Sequence, residues 1–420
     1  MNVLAVHEKA QVIQFRHLDN TEELTESKIN SHNVILPAVI KVVSTGGGGA
    51  NALNRIIESG LSGVEYISIN TDIQDLNQKS KAPVKVQIGV KVTGGRGAGG
   101  KPEIGEKAAL EDQDAIAAAL SGADMVFLAA GMGGGTGTGS AHVIAKVAKS
   151  QGALTVAIVT TPFEYEGRYK KKLAQEGIAK LSNEVDSLIV IPNQHLFKII
   201  DNNTSWNDAY VLADKVLCLG VQGIAELITQ IGFQNVDFAD VETIMRGKGQ
   251  AILGIGFGKG ENRAMEAVSN AVDNPLLEDT SIEGATGILV NIRASNDIKM
   301  VEINNILKDI KDKCDPDALI IHGLHIDPSL EDGIQITVIA TGFDNARGNE
   351  AKPLAGKKSI DTELFDFTKY VQKHEQSKRK EYLPYLPAKD YHDDLDVPAV
   401  IRNHHYNTEE MLEMNKAQEG

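Results

Sequence analysis

The chain has 420 residues, enough for about two or three domains with substantial cores. It is 42% hydrophobic and 24% charged, with a formal net charge of −15. That acidity argues against nucleic acid or anionic lipid as the main partner. No apolar run approaches the ~18 residues a membrane span needs, so direct membrane insertion is not expected. The first residues lack the basic flank and apolar core of a secretion signal. Cys218 and Cys314 are far apart and have no metal-ligand spacing, which reads as two ordinary thiols in a reducing cytosol.

Residues 1–34 are polar and weakly patterned, as a flexible extension would be. Order is expected from VILPAVIKVVS (34–44), a near-continuous apolar run of the kind that forms strands buried on both faces. Similar runs recur at 64–70, 123–130, 154–161 and 187–193, with helical patterns between them, such as 106–120. This alternation predicts a doubly wound, Rossmann-like α/β domain with a parallel sheet over 35–207. A proline-free stretch at 208–232 predicts a central helix about 36 Å long at 1.5 Å per residue. Strand patterns at 285–294, 318–326 and 334–343, with one helix near 299–312, predict a smaller α+β domain over 233–343. Residues 344–392 mix acids and bases with little apolar periodicity, which predicts a disordered linker. In the tail, 393–420, the apolar patch DDLDVPAVIRN reads equally as a docking peptide or as a chance cluster.

Three glycine-rich segments stand out: STGGGGANAL (44–53), TGGRGAGGKPE (93–103) and GMGGGTGTGS (131–140). The first and third each follow a predicted strand and open a predicted helix. Glycines there bring backbone N–H groups close to an anion at the positive helix end. In a parallel sheet such loops share one edge, so together they could surround a polyphosphate. Thr136 and Thr138 add hydroxyl donors. A competing pattern exists, because Gly47, Gly49 and Ala52 fit a dinucleotide fingerprint with Asp72 at the ribose-binding distance. That alternative is a nicotinamide-dependent oxidoreductase. Gly95, Gly100 and Lys101 imitate a P-loop, but Pro102 stands where a magnesium-binding hydroxyl belongs.

GGGTGTG (133–139) resembles the tubulin-superfamily signature, and residues 38–343 resemble the FtsZ family of bacterial cell-division GTPases. Further segments carry the likeness: GGGGANA (46–52), NTD (70–72), GRGAGGKPEIG (95–105), PFEYEG (162–167), VQGIAELI (221–228) and NVDFAD (235–240). The resemblance implies GTP and GDP as ligands, Mg²⁺ as cofactor, and head-to-tail assembly of the chain with itself into a cytoplasmic ring at the division site. It implies that Gly47, Gly48 and Asn51 form the first nucleotide loop. Gly134, Gly135, Thr136, Gly137 and Thr138 would form the phosphate loop. Glu166 would contact the ribose, Asn193 and Asp214 would read guanine, and Tyr210 would replace a phenylalanine that packs on the base. Lys170 stands where the family usually has arginine, with Arg168 two positions earlier. The tail then resembles a peptide that docks a membrane-tethered adaptor and division regulators, through Asp396, Pro398, Ile401 and Arg402. A tubulin-like scaffold for cell shape or plasmid segregation is a third reading.

Asn235, Asp237 and Asp240 follow the long helix. Asp237 and Asp240 have the spacing of a capping box, yet two carboxylates can also polarise a water. The length of the helix puts them at the end of the molecule opposite the phosphate loops. From there they would complete a neighbour's site as its catalytic residues.

Overall fold

The structure is a computed structural model that describes residues 38–198, 200, 203–230, 236–273 and 282–343. The N-terminal extension, the linker, Asn235 and the tail with Asp396, Pro398, Ile401 and Arg402 lie outside the described residues. The first half runs β1 (Ile40–Thr45), α1 (Gly46–Glu58), β2 (Val64–Asn70), β3 (Val84–Gln87), α2 (Val90–Thr93), α3 (Pro102–Glu111), α4 (Gln113–Leu120), β4 (Met125–Gly131), α5 (Thr136–Ser150), β5 (Leu154–Thr161), α6 (Arg168–Ser182) and β6 (Ser187–Pro192). The chain continues through α7 (Trp206–Thr229), α8 (Phe238–Met245), β7 (Gly249–Lys259), α9 (Arg263–Val272), β8 (Gly287–Ala294), α10 (Met300–Lys313), β9 (Leu319–Ile326) and β10 (Gly333–Thr341).

All ten strands join in one sheet, ordered β3-β2-β1-β4-β5-β6-β7-β10-β8-β9. From β3 to β7 every pairing is parallel, while β10 is antiparallel to both β7 and β8. The strand order reverses between β1 and β4, which opens a crevice at the carboxyl ends of those strands, the usual ligand position in such sheets. β4 shows why the central strands read as unbroken apolar runs. Met125, Phe127 and Ala129 face one core, with α1 and α7, and Val126, Leu128 and Ala130 face the other, with α4 and α5. Burying a side chain of the size of Phe127, which is fully buried, contributes about 1.5–3 kcal/mol.

Several expectations shift. The helix expected over 106–120 breaks at Asp112, whose carboxylate accepts the Gly89 N–H at 2.6 Å, and it begins earlier, at Pro102. Pro102 therefore occupies the first helical position, where a missing N–H costs nothing. The strand expected over 34–44 is described only from Ile40. The central helix spans Trp206–Thr229, with Ser205 accepting the Asp208 N–H as its cap.

Glycines interrupt the apolar pattern of β7, and its packing against α9 explains them. A Cβ on Gly254, Gly256 or Gly258 would lie 2.0–2.1 Å from a carbonyl oxygen of α9. Alternate glycines strip one face of the strand, and the helix rests directly on its backbone. Only the first three residues of β7, Gly249–Ala251, pair with β6, and the rest of the strand pairs with β10. No helix among the described residues is long and apolar enough to cross a membrane.

Candidate functional site: a glycine-lined crevice and a remote acid pair

The three glycine-rich segments meet at the β1/β4 crevice. A Cβ on Gly46 would lie 2.8 Å from the Gly137 nitrogen, and one on Gly135 would lie 2.9 Å from the Lys101 nitrogen. One on Gly105 would lie 2.4 Å from the Gly135 oxygen. These loops therefore touch backbone to backbone, which only glycine permits. Gly46 also has φ +70°, in the left-handed region. Gly47, Gly48, Asn51 and Gly134 remain exposed at the mouth. Behind them, α5 begins at Thr136 and directs its positive end into the crevice.

Thr136 and Thr138 are buried, and both hydroxyls have protein partners. The Thr136 hydroxyl lies 2.6 Å from that of Thr71, and the Thr138 hydroxyl accepts the Gly133 N–H at 2.9 Å. Their first task is to hold the loop. A threonine hydroxyl that accepts one bond still has its own hydrogen to donate. Thr45 and Ser140 make a further hydroxyl pair across the same loops at 2.6 Å.

The rim beyond β5 and β6 is aromatic. Phe163 stacks on Tyr165 at 5.3 Å and meets Tyr210 edge-on at 5.1 Å, and Trp206 lies 4.7 Å from Tyr210. The Tyr165 hydroxyl donates to that of Tyr210 at 2.8 Å. Burial, with Tyr165 and Glu166 nearby, pushes the Tyr210 phenol well up. Glu166 accepts the Phe163 N–H at 2.9 Å and pairs with Lys170 at 3.0 Å. Tyr210, Glu166 and Lys170 thus form one group. Asn193 follows β6; it is buried, and its Oδ1 has no protein hydrogen-bond partner. Such an atom fits a ligand N–H. Asp214, from the third turn of α7, lies 3.4 Å from the Arg55 Nε, yet burial pushes its carboxyl up to about 6 against that cation. Thr71 and Arg55 lie outside the sequence expectations, since each acts through a partner distant in the chain.

Asp72, the acid of the dinucleotide alternative, is engaged in a local turn. Its Oδ1 accepts the Gln74 and Asp75 N–H groups, at 2.9 and 3.2 Å.

The acid pair lies at the other edge of the sheet. Thr229, the last residue of α7, is within contact of Gly63, just before β2. At the end of α8, Met245 accepts the Ser187 hydroxyl at the start of β6, and Arg246 donates to Gly152, just before β5. Asp237 and Asp240 stand between these points, both exposed. Asp237 is the N-cap residue of α8, but its side chain makes no capping hydrogen bond, so the capping box does not form. Neither carboxylate enters an ion pair among the described residues.

The sequence matches the Tubulin/FtsZ family GTPase domain over residues 39–201 and the FtsZ family C-terminal domain over 249–344. The chain belongs to the FtsZ family. It is similar to an empty FtsZ dimer from M. jannaschii, with 43% identity over 77% of this chain and 96% of that one and a TM-score of 0.72. A point variant of FtsZ from the same organism is 45% identical over 73% and 92% of the two chains, with a TM-score of 0.70. The GTPγS-bound CetZ2 protofilament of Haloferax volcanii, at 19% identity over 82% and 100% and a TM-score of 0.60, shares the fold. Membership in a GTPase family displaces the oxidoreductase reading.

Proposed function

We propose that this chain binds GTP in the glycine-lined crevice, assembles head to tail with itself, and hydrolyses GTP at the contact between subunits. The filament would serve as the scaffold of a cell-division ring in the cytoplasm, docked to a membrane-tethered adaptor through its tail. The observation that carries this reading is the separation within one molecule. Phosphate-holding loops lie at one sheet edge, and two uncommitted carboxylates lie at the opposite edge. A subunit whose two ends differ makes an open, non-closing contact when it stacks on a copy of itself. The M. jannaschii relative occurs as a dimer, in keeping with self-association.

In this mechanism Gly47, Gly48 and Gly134–Gly137 hold the triphosphate through backbone N–H groups and the α5 dipole. Asn193 and Asp214 would meet the guanine edge, Tyr210 the base, and Glu166 the ribose. Asp237 and Asp240 of the next molecule would orient the attacking water and accept its proton, with Asn235 steadying the loop. Among the described residues no three His, Cys, Asp or Glu gather as a metal site. Mg²⁺ would therefore come with the phosphates, where it would offset their charge.

The test is GTP turnover per subunit against protein concentration, with sedimentation alongside. Turnover should rise steeply through the assembly threshold. A constant turnover in dilute, unassembled protein would refute the shared site. Deletion in the native cell then separates division, where septation stops, from a shape or segregation scaffold, where it continues.

A further inference from the structure

The second half of α7 is seated on the far part of the sheet in an unusual way. Gly220 and Gly223 let the helix close onto β7 and β10, since a Cβ would lie 2.9 Å from Leu253 and 2.6 Å from Thr337. One turn later comes Glu226, a carboxylate 4% exposed in the middle of this contact. It accepts Gln222 Nε2 at 2.5 Å and, from β8, Asn291 Nδ2 at 3.1 Å. Arg293, also on β8, lies 3.8 Å from Glu226 and donates to Asp327, just beyond the end of β9. A carboxylate buried this deeply is costly unless its hydrogen bonds are complete. Pure packing would have used an apolar residue at this point. A small cleft lined by Gln230, Gly323 and His325 follows, and Gln230 Oε1 has no protein partner. The network thus ties the last turns of α7 to β8 and to the end of β9.

We infer that the Glu226–Asn291–Arg293–Asp327 network positions the acid loop. It fixes the final turn of α7 to β8 and β9, and so sets where Asp237 and Asp240 arrive on the neighbouring subunit. None of these four residues touches the nucleotide; they act through the loop. This inference rests on the proposed role of Asp237 and Asp240. A displacement of about 1 Å at reacting groups can cost on the order of 100-fold in rate.

The experiment measures GTP turnover on the full chain at saturating protein, together with GTP affinity of the unassembled subunit, sedimentation and thermal unfolding. Glu226→Gln and Arg293→Met should each lower kcat on the order of tenfold or more. KM, GTP affinity and sedimentable mass should stay near the parent values. The double variant should be no worse than the poorer single one, because both break one unit. Asp327→Asn, at the outer end of the network, serves where Glu226→Gln fails to fold. Parent-like kcat in the folded variants, or losses that multiply in the double, overturns the inference while leaving the acid pair intact. Full turnover in Asp237→Asn overturns both readings, and no network variant is then needed to decide.

Discussion

The two ends of this molecule are built to opposite standards. At the crevice, three glycine-rich loops are in backbone contact, Thr136 is tied to Thr71, and Thr138 is tied to Gly133. At the other edge, Asp237 and Asp240 are exposed and the expected cap is not made. A binding site gains from order before its ligand arrives, since less freedom is lost on binding. Groups meant for another molecule must stay accessible, and a cap bond would have consumed the carboxylate. On the proposed function, the difference separates binding, which one subunit would complete, from chemistry, which would need two.

The sharpest way to break that comparison is at the acid end. Asp237→Asn or Asp240→Asn should reduce turnover by roughly 10²–10⁴-fold, the usual contribution of a positioned acid–base group. GTP affinity and sedimentation should be retained, so equal loss of affinity would end the division of labour. At the crevice, Gly46→Ala should do the reverse. Its methyl would meet the Gly137 nitrogen at 2.8 Å in a left-handed backbone, so GTP affinity and the unfolding midpoint should both fall, by about tenfold or more in affinity. Equilibrium dialysis with GTP and calorimetric unfolding would show it.

A smaller effect follows from Asp214. Its folded pKa, near 6, is above the ordinary carboxyl value, so the stability that protonation lends is lost as pH rises through 6. In the proposed site, guanine recognition would need the carboxylate. GTP affinity should therefore fall as pH drops through about 6, several-fold by pH 5. Asp214→Asn should bind weakly at every pH and show no such step. The smallest change is expected at Lys170. Its pair with Glu166 is half exposed, and such pairs contribute about 0–1 kcal/mol, so Lys170→Ala should alter GTP affinity only a few-fold.

Much of this architecture was legible because of burial on both faces. β1, β2, β4, β5 and β6 are predominantly apolar, so each announces itself without knowledge of its neighbours. β7 and α9 escaped for the inverse reason: Gly254, Gly256 and Gly258 erase the strand's pattern to admit the helix. The break at Asp112 depends on a bond to Gly89, a partner that periodicity does not reveal. At the candidate site, the glycine loops and the acid pair were readable from their chemistry. Asn193, Asp214 and Glu166 were identified only through resemblance, since each alone looks like a surface or capping residue. Arg55, which pairs with Asp214, and Thr71, which meets Thr136, come to the site only in three dimensions.

The short overlap of β7 with β6 bears on how force would pass through a filament. In the proposed filament, tension between neighbouring subunits would enter at the crevice and leave beside the acid pair. Three paired residues of β7, Gly249–Ala251, would share that load with α7 and with the α8 bonds to Ser187 and Gly152. A strand held by β6 at its root and by β10 along its length would concentrate such strain at the point where it changes partners.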